Sequence, residues 1–572
     1  MTACAISRAP PGDVSLPNTL SPAPRSGAAI FADALRNFGV PVVTLIPGEG
    51  ILELVDALAV RAPAIRLASF RHEAGMAYAA QAIGQFSGQP GVCLAARAPG
   101  ALNATLAIHT AHTDSAPLVM IVGQADMQSS EREAMLGLGH FHQVFGPLTK
   151  WVGLIESASR IPEMLARAWH IAMSGRRGPV VLVLPENVSR QMADVADLPR
   201  PATIAAAPAP HDLARFTTLL AEARRPLLIV GGTGWQAASL QTLTMLARAH
   251  GVPIATTYRR RDLIDHDDPN FAGEIGLGID PALAARIGKA DCIVALNARL
   301  GELNTVGAGA FSGFTLWTPP RQANVLVHVH ADASDLNNAY RADLAIPADA
   351  GAFVAAWAAA ANAPAPDDER IAWVRAARAD RVAFAQSGRC PGPLDLRAVF
   401  ESLDAALPRD ALVASGAGAY ALWPQRYLRH RLPGTQLGPK SGAMGYGLSA
   451  AIGAALLDPA RRVVAIAGDG CFMMHAEELE TAVRLGLNLL VIVVNNRAYG
   501  AIGNAQRRLF DRATGTALGV IDFAAFAQSF GARGEAVDST EAFAPALQRA
   551  WASSGVSLIE LRVSSTVTRP VD

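Results

Sequence analysis

The stretch GDGCFMMHAEELETAVRLGLNLLVIVVNN, Gly468 to Asn496, decides how the rest of the chain is read. It follows the apolar run RRVVAIA and carries a helical middle, in which Glu477, Glu480 and Arg484 recur at helical spacing beside an apolar side of Leu479, Val483 and Leu485. A second apolar run, Leu489 to Val494, leads to Asn495 and Asn496. Strand, turn, helix and strand in that order predict a right-handed crossover and two parallel strands. Asp469 and Asn496 then finish at the same carboxyl edge of a sheet, where open α/β sheets bind ligands. A carboxylate and an amide oxygen there suit a hard cation such as Mg2+, with backbone oxygen, water and phosphate filling the other positions. Gly468 and Gly470 let the backbone close on a phosphate at a helix N-terminus. An ordinary βαβ unit with a Gly-Asp turn starts the same way. The second Asn after the buried strand, 27 residues beyond Asp469, is what adds a metal–phosphate site to it.

Working outward, 572 residues are too many for one core, and three domains are the natural division. Apolar residues make up 51% and charged residues 17%, enough for large buried cores. The formal net charge is zero, which excludes a nucleic-acid or anionic-membrane binder as the first expectation. Lys150, Lys289 and Lys440 are the only lysines. The five cysteines (4, 93, 292, 390 and 471) form no C-x-x-C pair, so a zinc site or disulfide framework is not expected. No apolar run reaches about 18 residues, and the N-terminus lacks the charged start and apolar centre of a secretory signal. A cytoplasmic protein is the expectation.

Residues 1–25, rich in Pro, Ser and Ala, read as a disordered extension. Strand-like runs at 41–46, 91–96, 118–123 and 180–184 alternate with helical patterns through residues 26–190. The Pro-rich stretch at 191–211 reads as a linker. A second unit, 212–362, has strand-like runs at 227–230, 253–256, 292–296 and 325–329, and residues 363–392 read as a linker and helix. A third unit, 393–572, has them at 411–414, 463–467, 489–494 and 558–563. The fold class expected is α/β, with three doubly wound parallel-sheet domains.

A second segment, FRHEAGMAYAAQAIGQFSG from Phe70, places Glu73 at the start of a helix, where a carboxylate meets the helix dipole with no further role required. Together with GDG…NN, SGAMGYG (441–447), NNRAYGAI (495–502) and GPVVLVLPENV (178–188), it resembles the thiamine diphosphate (ThDP) enzymes. The likeness is to the acetohydroxyacid (acetolactate) synthase, benzoylformate decarboxylase and pyruvate decarboxylase superfamily, and it runs from Ser26 to Val563. The resemblance implies a pyrimidine-binding domain at 26–190, a central domain at 212–362 and a diphosphate-binding domain at 393–572. It implies ThDP and Mg2+, with active sites shared between subunits of a homodimer or homotetramer.

Carried onto this sequence, the resemblance makes Glu73 the carboxyl that hydrogen-bonds N1′ of the aminopyrimidine, and a desolvated carboxyl with a raised pKa would suit that task. Pro47 and Asn103 line the pyrimidine end. Met444 props the bend of the cofactor, although a gap-filling core methionine reads the same way. Gly416, Gly418, Ala419 and Tyr420 offer backbone contacts to the diphosphate, or form a plain flexible turn. Gly468, Asp469, Gly470, Cys471, Asn496, Tyr499 and Gly500 complete the cofactor site, with Asp469, Asn496 and the carbonyl of Ala498 on the metal. His140 and His142 stand just after MLGLG (135–139), where relatives carry a Gln; they read either as proton-transfer residues or as a polar loop.

Two departures bear on the reaction. Leu303 stands near the place of the Arg with which acetohydroxyacid synthases read a second 2-oxo acid, and Ala505 stands where they have Trp. A bidentate Arg–carboxylate pair has no substitute in Leu. The expected reaction is decarboxylation of a 2-oxo acid with transfer of the activated aldehyde to an aldehyde or oxo-acid acceptor. Simple decarboxylation is the alternative, followed by a flavin-dependent oxidase and a non-catalytic ThDP-binding subunit. The Gly-rich turns GGTG (231–234) and GEIGLG (273–278) leave FAD open.

Overall fold

The computed structural model describes residues 23–129, 132, 140–310, 312–320, 323–360 and 365–570. Most of the expected N-terminal extension, and MLGLG, lie outside the described residues. The chain forms three six-stranded sheets. In the first, the strands lie in the order Arg66–Ser69, Val42–Leu45, Gly91–Ala96, Leu118–Gln124, Pro179–Pro185 and Trp151–Leu154. In the second they run Phe271–Glu274, Ile254–Thr256, Pro226–Val230, Cys292–Leu296, Val325–His330 and Leu344–Pro347. The third has Gln436–Leu437, Leu412–Ser415, Val463–Gly468, Leu489–Asn495, Val556–Arg562 and Arg533–Val537. Every neighbouring pair in these sheets is parallel. The central strands are apolar throughout because helices cover both faces.

Numbered along the chain within each sheet, the first and third share the order 2-1-3-4-6-5, while the central sheet runs 3-2-1-4-5-6. Each order reverses beside its first strand, and the crevice at that reversal is where doubly wound sheets take ligands. The reversal lies between Val42–Leu45 and Gly91–Ala96 in the first sheet, and between Leu412–Ser415 and Val463–Gly468 in the third. In the central sheet it lies between Pro226–Val230 and Cys292–Leu296.

The first and third sheets share one hydrophobic core, whereas the central sheet has a core of its own on each face. The shared core is built where helix Glu73–Ser87 packs on helix Tyr446–Leu457. Both are buried almost all round, and a Cβ at Gly453 would fall on the Ala79 carbonyl oxygen, so the two backbones touch. A two-residue antiparallel pair, Arg25–Ser26 with Met192–Ala193, ties the two ends of the first domain and sits just inside the stretches read as extension and linker. Helix Asp368–Gln386 lies back on the central domain, where Trp373 Nε1 donates to the Pro226 carbonyl at 2.8 Å.

Candidate active site

At the reversal point of the third sheet, three parallel strands end side by side and their loops close a cavity of about 230 Å3. The loop after Leu412–Ser415 supplies Gly418, Ala419 and Tyr420, and the one after Val463–Gly468 supplies Asp469, Gly470 and Cys471. The loop after Leu489–Asn495 supplies Asn496, Ala498, Tyr499 and Gly500. Met444 reaches the same cavity from the segment before helix Tyr446–Leu457. The sequence spacing therefore brings these residues together as expected, with one exception. Gly416 lies behind the cavity and Ala417 takes its place on the wall; the Gly416 carbonyl accepts from Arg259 Nη2 at 2.8 Å.

The glycines of the GDG turn are dictated by two tyrosines. A Cβ at Gly468 would lie 2.6 Å from Tyr420 Cδ1, and one at Gly470 would lie 2.5 Å from Tyr499 Cε1. Cys471 packs beneath, its Sγ taking the Tyr420 hydroxyl at 3.3 Å and the Gly445 N–H at 3.4 Å. Asp469 is 5% exposed; burial pushes its pKa up, while the N–H groups of Gly470, Arg497 and Ala498 hold it back. Among the described residues no Lys, Arg or His lines the cavity, so a cation from outside is what its charge lacks. Asn496 donates Nδ2–H to the Val567 carbonyl at 3.2 Å, which turns Oδ1 towards Ala498. One carboxylate, one amide oxygen and a backbone carbonyl make a partial, oxygen-only shell. Oxygen donors of this kind fit a hard cation that brings further oxygen ligands of its own.

Pro47, Glu73 and Asn103 gather at the carboxyl edge of the first sheet, each just after a strand or in the helix that follows one. Asn103 Nδ2 donates to Glu73 Oε2 at 2.9 Å, and a Cβ at Gly100 would lie 3.0 Å from Glu73 Oε1. None of the three lines the third-domain cavity, whose walls come from residues 417–568. Glu73 is half-buried, so within one chain its carboxyl does not have the desolvated setting read from the sequence. His140 and His142 are exposed at the start of helix Phe141–Phe145 and do not line the third-domain cavity. Leu303 and Ala505 also stay off the cavity wall.

The sequence reading missed two residues that hold these segments. Glu478 is fully buried on the third domain, and its Oε1 accepts the N–H groups of Arg71 at 3.2 Å and His72 at 3.0 Å, directly before Glu73. A Cβ at Gly75 would collide with that oxygen. Arg259 crosses from the central domain and donates to the Ser415 carbonyl at 3.2 Å and hydroxyl at 2.8 Å, bracing the loop that opens the cavity. The RRR run at 259–261 after an apolar strand was the available signal, since all three arginines are buried.

A second cavity, of about 290 Å3, opens at the reversal point of the central sheet. Its floor is the GGTG turn, where Gly232 has φ +71° and a Cβ would lie 2.5 Å from Asn297 Nδ2. The other Gly-rich turn, GEIGLG, does not reach it.

Three family descriptions match the chain in order. They are "Thiamine pyrophosphate enzyme, N-terminal TPP binding domain" at residues 25–145, the central domain of the same enzymes at 213–357 and their C-terminal TPP binding domain at 416–561. Probable acetolactate synthase 2 of Oryza sativa subsp. japonica is 31% identical over 511 residues, 85% of this chain and 74% of the relative. The chain belongs to the thiamine pyrophosphate enzyme family. It is a ThDP-dependent enzyme of the acetolactate-synthase-like kind. The large subunit of acetolactate synthase isozyme 1 of Escherichia coli (strain K12) is 29% identical over 94% of each chain. An acetolactate synthase large subunit of Parasynechococcus marenigrum is 28% identical over 96% of this chain and 89% of the relative. The central sheet lies wholly within its family match, whereas Trp151–Leu154 and Pro179–Pro185 of the first sheet and Leu412–Ser415 of the third lie outside theirs. Among the described residues no helix is long and apolar enough to cross a membrane.

Proposed function

We propose that this enzyme uses ThDP and Mg2+ to decarboxylate a 2-oxo acid and passes the activated aldehyde to an acceptor carbonyl. The division at 26–190, 212–362 and 393–572 belongs to this reading, as does a homodimer or larger homo-oligomer in which the first domain of one copy faces the third domain of another. The observation that carries it is the separation of two complementary half-sites. Asp469 and Asn496 line a cavity that holds no residue of the first domain, while Glu73 and Asn103 stand partly exposed on another sheet edge.

Asp469, Asn496 and the Ala498 carbonyl would hold Mg2+, and the GDG turn with Gly418, Ala419 and Tyr420 would surround a diphosphate. When bound, ThDP supplies the electron sink that lets the bond to the carboxylate break. Met444 gives the cavity a bulky apolar wall, and Pro47 stands at the sheet edge that carries the opposite half-site. Glu73 holds or shares a proton at the pyrimidine N1′, and Asn103 steadies it through Oε2. Burial of Glu73 against a second copy would supply the desolvation that the single chain lacks. His140 and His142 remain candidates for proton transfer only in such an assembly.

Simple decarboxylation is the second reading, and Leu303 favours it, because a carboxylate-reading Arg is missing from the acceptor side. For FAD, the support is the second cavity, whose glycine turn and cationic wall fit a nucleotide diphosphate.

Mixing two defective variants tests the reading. Glu73→Gln and Asp469→Ala proteins should each fold and each lose at least about 100-fold in CO2 release from 2-oxo acids. Mixed as dissociated subunits and reassembled, they should recover about a quarter of the native rate, because half the dimers carry one intact site. Full activity of Glu73→Gln alone, or no recovery on mixing, contradicts the proposal.

A further inference from the structure

The NN pair holds two asparagines, and the metal donors proposed above include only the second. Asn495, the first, ends strand Leu489–Asn495 and is buried. Its Oδ1 accepts the Arg497 N–H at 3.2 Å, two residues on, as in an Asx turn. Arg497 sits in that turn at φ +54°, a left-handed conformation that residues other than glycine rarely take. The Leu518 N–H donates to the Arg497 carbonyl at 2.9 Å and holds the turn from its other side. The turn aims the N–H groups of Arg497 and Ala498 at the Asp469 carboxyl, and it carries Asn496 and Ala498 on to the cavity wall.

The orientation of the Asn495 amide is set by Glu560. Glu560 lies on the neighbouring strand, Val556–Arg562, and is fully buried. Asn495 Nδ2 donates to its Oε1 at 2.7 Å. Its Oε2 takes Arg562 Nη2 at 3.1 Å, and Arg562 in turn reaches Asp522 at 3.4 Å. An amide turned over keeps its shape but exchanges donor for acceptor. A carboxylate only accepts, so Glu560 admits one of the two orientations, nitrogen inward. Oδ1 is thereby left facing the Arg497 N–H. The opposite orientation would set donor against donor at Arg497 and acceptor against acceptor at Glu560. Packing alone does not call for a carboxylate at this place, since Leu558 on the same face of the strand is equally buried.

We propose that Glu560 is a positioning residue for the metal site and acts through Asn495. It fixes the amide, and with it the left-handed turn at Arg497 that presents Asn496 Oδ1 and the Ala498 carbonyl to Mg2+. This rests on the reading of Asp469, Asn496 and Ala498 as the metal donors. Glu560 itself does not line the cavity. Without it the turn is free to relax towards negative φ, and two of the three donors shift while the GDG turn stays in place.

The quantity to measure is the Mg2+ concentration at which the full chain takes up half its ThDP, read by calorimetry with no turnover involved. Glu560→Leu and Asn495→Ala should each raise it by about tenfold or more, and saturating Mg2+ should restore uptake to the native amount per chain. Glu560→Gln, which still offers Asn495 an oxygen, should stay within about threefold of native. Glu560→Leu combined with Asn495→Ala should be no worse than the worse single variant, because the two residues act in series. Should Glu560→Leu not fold, Glu560→Asp, one methylene short of Asn495, takes its place. A native Mg2+ requirement in Asn495→Ala or in the Glu560 variant overturns the proposal, and so do additive losses in the pair. A loss of uptake that saturating Mg2+ does not restore marks a general loosening of the chain and overturns it as well. If the native chain takes up no ThDP, or takes it up without Mg2+, the proposed function fails and this proposal with it; a native chain that needs Mg2+ beside variants that match it refutes this proposal alone.

Discussion

Glu478 shows how far a single buried carboxyl can reach. It sits on the third domain, yet its oxygens hold the two N–H groups that precede Glu73 on the first, and Thr481 Oγ1 donates to it at 2.6 Å. Burial pushes its pKa from 4.5 up to about 7, against the pull of those donors. The proton is therefore held more tightly in the folded chain than in the unfolded one. The associated stability is complete below about pH 4.5, is lost as pH rises through about 7, and amounts to roughly 3 kcal/mol. Chemical denaturation of Glu478→Gln should show a flatter pH dependence than the native protein across that window, with the first turn of the Glu73 helix intact. Parallel curves would mean that Glu478 does not titrate there. Residues differ in how well the sequence exposes them. Asp469 and Asn496 are legible because the chemistry needs them at strand ends a fixed crossover apart. Glu478 sits inside the run EELE, which reads as the wet face of a helix, and only the packing of a distant segment buries it.

Among the elements, the division between legible and hidden follows position in the sheet. Apolar runs identify the inner strands, from Val42–Leu45 to Val556–Arg562, to within a residue or two at nearly every end. Within the three large sheets, the six that left no clear signal are the six at the edges: Arg66–Ser69, Trp151–Leu154, Phe271–Glu274, Leu344–Pro347, Gln436–Leu437 and Arg533–Val537. Edge strands are short and pair on one side only, so they need no continuous apolar run; Arg533–Val537 is half-exposed along most of its length. Helix Tyr446–Leu457 is a different case. Its all-round apolar surface says that it is buried, but not that its partner is a helix more than 350 residues earlier. The close approach of Gly453 to Ala79 carries a prediction at this scale. Gly453→Ala should destabilise the protein by about 1–3 kcal/mol in denaturant melts, because the helices must part to admit a methyl group. Unchanged stability would mean that the helix pair is loosely packed.

The whole molecule is two alike domains that share a core, with a third of different strand order braced against them. The first and third sheets present their reversal points as two half-sites, one holding Glu73 and Asn103, the other Asp469 and Asn496. The three-domain plan was legible from the alternation of strand and helix patterns. The second cavity was not, because its walls come from all three domains and GGTG alone says little. What the account most needs is that the third-domain cavity takes ThDP together with Mg2+. Titration calorimetry of the native chain is the direct measurement: ThDP should bind near one per chain with Mg2+ present, and weakly once the ion is chelated or Asp469 is changed to Ala. Native-like protein that takes up ThDP equally well with and without Mg2+, or does not take it up at all, would contradict the account.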